Sequence, residues 1–255
     1  MIGIVGGVGA LAGLDIAKKI IEETKVNSER EHLPLLLRAE AQRISDPVSY
    51  LIGQENENPA PAIAQIIREL ETAGATVVAV PSHAVHAARI FDLIKEELQR
   101  YDSQVKLLHM IEETALYIQR KYGHQAVAVL SSLGTKNNGL YQHMLKQHAL
   151  QALEPDETLQ EKIQEAIYDP TYGIHAVSSP VSNRARGEII KVIAELRKKG
   201  AQSIVFGDAA LALAIPEKES DGLPIIDPTR VLARALISAY DESKLRPEES
   251  VASLI

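Results

Sequence analysis

Two short segments hold the side chains best suited to moving a proton. Val80-Pro81-Ser82-His83-Ala84-Val85-His86 carries one hydroxyl and two imidazoles at the end of an apolar run. Phe206-Gly207-Asp208-Ala209-Ala210 carries one carboxylate at the end of another. Histidine is the side chain that exchanges protons most readily near neutral pH, and a carboxylate can serve as general base. On this reading Asp208 is a base, and His83, or Ser82 activated by His83 or His86, faces it. If a helix begins near Ser82, then Ser82 and His86 stand four apart on one face. The two histidines also have the spacing of metal ligands, with Asp208 as a conceivable third. The plainer alternatives are a helix cap at Ser82, a packed His86 and a capping Asp208. No metal is expected.

Two further segments are suited to holding an anion. Gly6-Gly7-Val8-Gly9-Ala10-Leu11-Ala12 follows an apolar run and opens an amphipathic stretch. Glycines there allow a tight turn, and free amides at a helix start attract a carboxylate or phosphate. The pattern resembles a dinucleotide fingerprint, but the supporting acid should follow about 20 residues on. The available one, Glu40, lies 33 positions after Gly7, so no cofactor is expected. A small carboxylate at Gly7, Val8 and Gly9, or a purely structural turn, remains. Leu130-Ser131-Ser132-Leu133-Gly134-Thr135 ends a strand in hydroxyls and amides. Ser132 and Thr135 there either bind an anion or cap the next helix.

These segments sit at the ends of short apolar runs that alternate with amphipathic stretches, as in βα units with parallel sheets buried on both faces. Strands are expected at Ile2–Val5, Leu33–Arg38, Thr76–Val80, Val105–Met110, Ala126–Leu130, Ala176–Ser178, Ile204–Phe206 and Pro224–Ile226. Helices are expected at Leu14–Glu23, Pro61–Ala73, 85–100, 112–122, 139–152, 157–167, 184–199 and 229–240. Residues 66–84 (IIRELETAGATVVAVPSHA) reappear in pattern at 192–210 (VIAELRKKGAQSIVFGDAA), an offset of 126 that sets Ser82 opposite Asp208. Two similar α/β halves follow, with a ligand cleft at the carboxyl ends of their strands. The charge-rich stretches near 154–162 and 241–249 read as solvated faces.

Composition narrows the function. The 255 residues carry a net charge of −7, which disfavours nucleic acid as a partner. The absence of cysteine excludes disulfides, thiolate metal sites and thiol nucleophiles. With no Trp and two Phe, the core must be aliphatic. No apolar run reaches the roughly 18 residues of a membrane span. Met1–Val5 lacks a basic region, so no signal peptide is expected and the expected location is cytoplasmic.

Taken together, IGIVGGVGALAG, VAVPSHAVHAA, LSSLGTKNNGLYQ, IVFGDAALAL and PIIDPT resemble, in order, the motifs of the cofactor-independent aspartate/glutamate racemase superfamily. The resemblance spans nearly the whole chain. It implies two pseudosymmetric three-layer α/β domains, 1–120 plus 228–255 and 121–227, with mainly parallel sheets and the active site between them. It also implies no cofactor, a small carboxylate or amino-acid ligand, and a homodimer.

The family's two catalytic cysteines fall, by position, on Ser82 and Asp208, so two-thiol racemisation is excluded. The Asn and Thr after the first cysteine become His83 and Ala84, and the Thr and Glu after the second become Ala209 and Ala210. The Arg that grips an acidic side chain in aspartate racemases becomes Pro47, beside Asp46. A Lys that assists it becomes Tyr172. Asp46 and Tyr172 join the glycine turn, Ser132 and Thr135 as the substrate-binding set that the resemblance implies. Two functions follow. One is altered proton-transfer chemistry, of isomerase, epimerase or lyase type, on a small acid less acidic than aspartate. The other is a catalytically silent homologue that binds a small ligand or pairs with an active paralogue.

Overall fold

The computed structural model describes residues 1–9 and 11–248; Ala10 of the glycine turn and positions 249–255 of the first domain lie outside the described residues. In chain order the elements are β1 (Ile2–Gly6), α1 (Ala12–Glu23), β2 (Leu35–Ala39), α2 (Pro47–Leu51), α3 (Ala60–Thr72), β3 (Val77–Ala79), α4 (Ala88–Arg100), β4 (Lys106–Leu107) and α5 (Met110–Tyr122). They continue with β5 (Ala126–Leu130), α6 (Leu133–Asn137), α7 (Leu140–Gln147), β6 (Gln151–Leu153), α8 (Glu157–Tyr168), α9 (Asn183–Lys198), β7 (Ser203–Phe206), α10 (Leu211–Ala214), β8 (Glu219–Ser220), β9 (Leu223–Ile226) and α11 (Pro228–Asp241).

Two sheets form, in the orders β2-β1-β3-β4 and β6-β5-β7-β9-β8. Every pairing is parallel except the short edge pair β8–β9. Alternate residues of one strand therefore enter different cores. In the first sheet Val5 and Val78 pack on Ile63, Ile67 and Leu70 of α3 and Ile90 and Ile94 of α4. Ile2, Ile4 and Val77 pack on Ile16 and Ile20 of α1 and Leu232 and Leu236 of α11. In the second sheet Ala128, Ile204 and Phe206 face α8 and α9. Val127, Val129 and Val205 face α5, α7 and Val231 of α11. The helices α5 and α11 thus contribute to cores on both sheets, which holds the two strand-end edges against each other.

The expected elements form, with local corrections. Ala176–Ser178 is not a strand; the segment after α8 runs in turns to a single bridge between Ser178 and Val181. The expected helix 139–152 is shortened to α7. Gly139 before it and Ala149 after it take positive φ, +63° and +56°, which the right-handed helix forbids. The freed residues form the edge strand β6. Helix 85–100 begins only at Ala88, because Ala87 is extended with ψ 135°. Ser82 and His86 consequently share no helical face. The 154–162 stretch is not wholly solvated, since Leu159 and Gln160 are buried.

Candidate active site

Residues that follow β3, β5, β7 and β9 come together from the two sheets: His83, Tyr141, Asp208 and Asp227. After β1, Gly7 has φ +96°, and a Cβ there would lie 2.8 Å from the Ala41 backbone nitrogen. Only glycine lets the turns after β1 and β2 approach so closely. Val8 is partly buried and Gly9 exposed, and α1 begins at Ala12 without a side-chain cap.

After β3 the chain turns sharply, with Ser82 N donating to Val80 O at 2.9 Å. His83 then reaches across to the other half. Its Nδ1 and the Tyr141 hydroxyl of α7 share a 2.9 Å hydrogen bond. Burial pushes the His83 imidazole down to about 4, opposed first by Asp208 and then by Asp227. Tyr141, 1% exposed, is held well above the ordinary tyrosine value by burial and by the same two carboxylates. At neutral pH both groups are therefore uncharged. His83 carries one ring proton, and Tyr141 chooses between tautomers: if the phenol donates to Nδ1, the proton sits on Nε2.

After β7, Gly207 is buried against β5; a Cβ there would meet Ser131 Cβ at 2.7 Å. This contact carries Asp208 to the half-buried edge of the cleft. Asp208 Oδ1 accepts from Ala210 N at 2.9 Å, closing the turn before α10, and leaves Oδ2 as the second carboxylate oxygen. After β5, the Ser132 and Thr135 hydroxyls lie 3.4 Å apart at the start of α6. After β9, Asp227 Oδ1 caps α11 at Thr229 N, 3.0 Å.

The remaining residues expected at the site behave differently. Asp46 is exposed and caps α2, accepting from Ser49 N at 2.6 Å, with Pro47 buried at the first helical position. Tyr172 is 7% exposed in the second core, its ring under the Arg184 guanidinium at 3.8 Å and its hydroxyl 3.4 Å from Glu165. No contact described for it joins His83, Tyr141 or Asp208. His86 is buried and turns Nε2 to Val80 O at 3.1 Å, away from any role beside Ser82. Among the described residues, no group of three or more His, Cys, Asp or Glu could hold a metal ion. No described helix is long and apolar enough to cross a membrane.

Three contacts of the site escaped the sequence reading. Tyr141 was legible only as a family match, not as a partner for His83, because 58 positions separate them. Lys19 joins through Asp227, its Nζ 2.6 Å from Oδ2. Tyr168, at the end of α8, has its phenol raised by burial and by Asp208, lies beside Ser132, and also senses Asp46. An aromatic at a helix end carries no pattern that would single it out.

The same architecture recurs among solved structures. The aspartate racemase of Picrophilus torridus is 24% identical, over 93% of each chain, with a TM-score of 0.74. An aspartate racemase homologue from Pyrococcus horikoshii is 22% identical over 93% of this chain and 97% of its own, with a TM-score of 0.75. A variant of arylmalonate decarboxylase is 15% identical over 97% and 96%, with a TM-score of 0.56. At these identities the likeness speaks for the fold. The Asp/Glu/hydantoin racemase family matches residues 5–236, nearly the whole chain. With a two-sheet α/β fold, a glycine turn after β1 and the strand-end residues gathered between the halves, this chain belongs to the Asp/Glu/hydantoin racemase family.

Proposed function

We propose that this family member performs proton-transfer chemistry on a small carboxylic or amino acid without thiols. The observation that supports it is the nearness of His83, tied to Tyr141, to Asp208 of the other half, whose charge it feels. Asp208 takes the proton from the carbon next to the substrate carboxylate; the C–H electron pair moves into that carboxylate as an enediolate. A proton returned on the opposite face from His83, or from Ser82 beside it, closes an epimerisation. Turnover leaves Asp208 protonated and His83 or Ser82 one proton short, and exchange of both with solvent resets the site. The substrate carboxylate is held by the Ser132 and Thr135 hydroxyls and by the amides of the turn at Gly7, Val8 and Gly9. Decarboxylation or elimination would use the same enediolate.

A second reading has its own support. Asp208 spends one oxygen on its own turn, at Ala210 N, and Ala209 and Ala210 add no polar side chain beside it. On that reading the chain binds a small acid without turning it over.

Proton NMR in D₂O with pooled amino, hydroxy and carboxylic acids tests both. Loss of one Cα–H signal, abolished by Asp208→Asn, supports the first reading. Unchanged spectra from folded protein across the whole pool would sink it in favour of the second.

A further inference from the structure

We infer that the cleft selects a monocarboxylic acid with an apolar, planar side chain, received between Val48 of the first half and the Leu133–Tyr168 wall of the second. The inference rests on the small-acid reading of the same site and names the substrate class.

Large apolar side chains are normally buried, yet three stand open on this rim. Val48 is 44% exposed, Leu133 42% and Tyr168 47%. Val48 belongs to α2 but reaches the second half: its Cγ1 lies 3.7 Å from where a Cβ on Gly134 would be. Leu133 precedes that glycine. The helix α8 packs against the same segment, with Gln160 Nε2 donating to Ser131 O at 2.8 Å and Gln164 Oε1 accepting from Leu133 N at 3.0 Å, and Tyr168 ends that helix one turn further on, beside Ser132. The ring is not loose, because it stacks on His175 with centroids 4.9 Å apart and planes 4° from parallel. A flat plate of two rings therefore stands beside the reacting groups, and a planar substituent would stack on it at little entropic cost.

Charge points the same way. Asp46 caps the helix that carries Val48, two positions before it, and is exposed on the same rim. A second carboxylate on the substrate would come close to Asp46 and cover Val48 and Leu133 with a hydrated anion, both unfavourable. An apolar substituent instead removes these three exposed surfaces from water.

Binding, not turnover, is the direct test. Titration calorimetry of the full chain would compare phenylacetate, hexanoate, succinate and aspartate, with the same series on Tyr168→Ala, Tyr168→Phe and Val48→Arg. Phenylacetate is expected to bind at least about tenfold tighter than succinate, with hexanoate between them. Tyr168→Ala should lose about tenfold for phenylacetate, and Tyr168→Phe, which keeps the ring, should lose little. Val48→Arg should move preference toward succinate. Succinate or aspartate binding as tightly as phenylacetate would overturn the inference, as would an unchanged phenylacetate affinity in Tyr168→Ala. Tyr168 and Val48 are surface positions, and unchanged circular dichroism checks that each variant folds. This binding order with no Cα–H exchange would defeat the proton-transfer reading and leave the selectivity standing. Exchange with the reverse order would do the opposite.

Discussion

Lys19 Nζ lies 2.6 Å from Asp227 Oδ2, inside a contact that leaves Lys19 only 5% exposed. A second carboxylate, Asp15, holds the same ammonium from one helical turn away at 2.5 Å. The lysine thus ties α1 to the N-terminus of α11 and screens the charge that Asp227 presents to His83 and Tyr141. Removing one partner of a buried pair costs about 3–5 kcal/mol. Both acids here keep some solvent, so Lys19→Met should cost less, about 2–3 kcal/mol in urea unfolding. Lys19→Arg should retain most of that stability. A Lys19→Met chain as stable as the parent would show that the contact contributes nothing.

The hydrogen bond between His83 and Tyr141 joins the two halves through neutral groups. Tyr141→Phe leaves Nδ1 buried without its partner, a loss of about 1–2 kcal/mol. It should also slow any Cα–H exchange more than it weakens ligand binding, because the tautomer of His83 is no longer set. Equal loss in both readouts, measured by D₂O exchange and calorimetry, would mean that the phenol only packs.

Acid sensitivity follows from the same imidazole. An unfolded histidine titrates near 6.5, and burial brings His83 to about 4 in the folded chain. Well above 6.5 neither state is protonated and His83 adds no pH dependence. As pH falls from there toward 4, the unfolded chain takes up a proton that the folded chain does not, so stability declines. His86, also lowered well below 6.5 by burial, acts in the same direction. Urea midpoints measured between pH 7 and 4 should fall, and His83→Gln should make that fall shallower. The same slope in the variant would remove His83 from the account.

Asp208 has separable structural and chemical duties. Asp208→Asn keeps an oxygen to accept from Ala210 N and should change stability by less than about 0.5 kcal/mol, whereas Asp208→Ala loses that hydrogen bond and about 1 kcal/mol. Both variants should lose Cα–H exchange. Exchange that survives in Asp208→Asn, read by NMR, would assign the base elsewhere.

The turn after β1 makes a backbone prediction. Gly7→Ala must adopt φ +96° and press its Cβ onto the backbone of Glu40 and Ala41. Neither strain can be relieved by rotating a side chain, so a loss of about 2 kcal/mol or more is expected in thermal or urea unfolding.

By itself the sequence determined the alternation of strands and helices, the two-half architecture and the absence of thiol chemistry. Apolar period, glycine turns and composition are local properties, and they persist wherever the chain is folded. It also marked His83 and Asp208, because each ends an apolar run that had to be a buried strand. Only the tertiary structure decided what those residues touch. Tyr141 finds His83 across 58 positions and Lys19 finds Asp227 across more than 200, through the packing of α7, α1 and α11 rather than through any pattern in the chain. Tyr172, read as a cleft residue by position, lies in the second core, where its ring packs under Arg184 and its hydroxyl meets Glu165. Tyr168, the last residue of α8, stays half exposed and stacks on His175, a pairing that only the turns after α8 bring about.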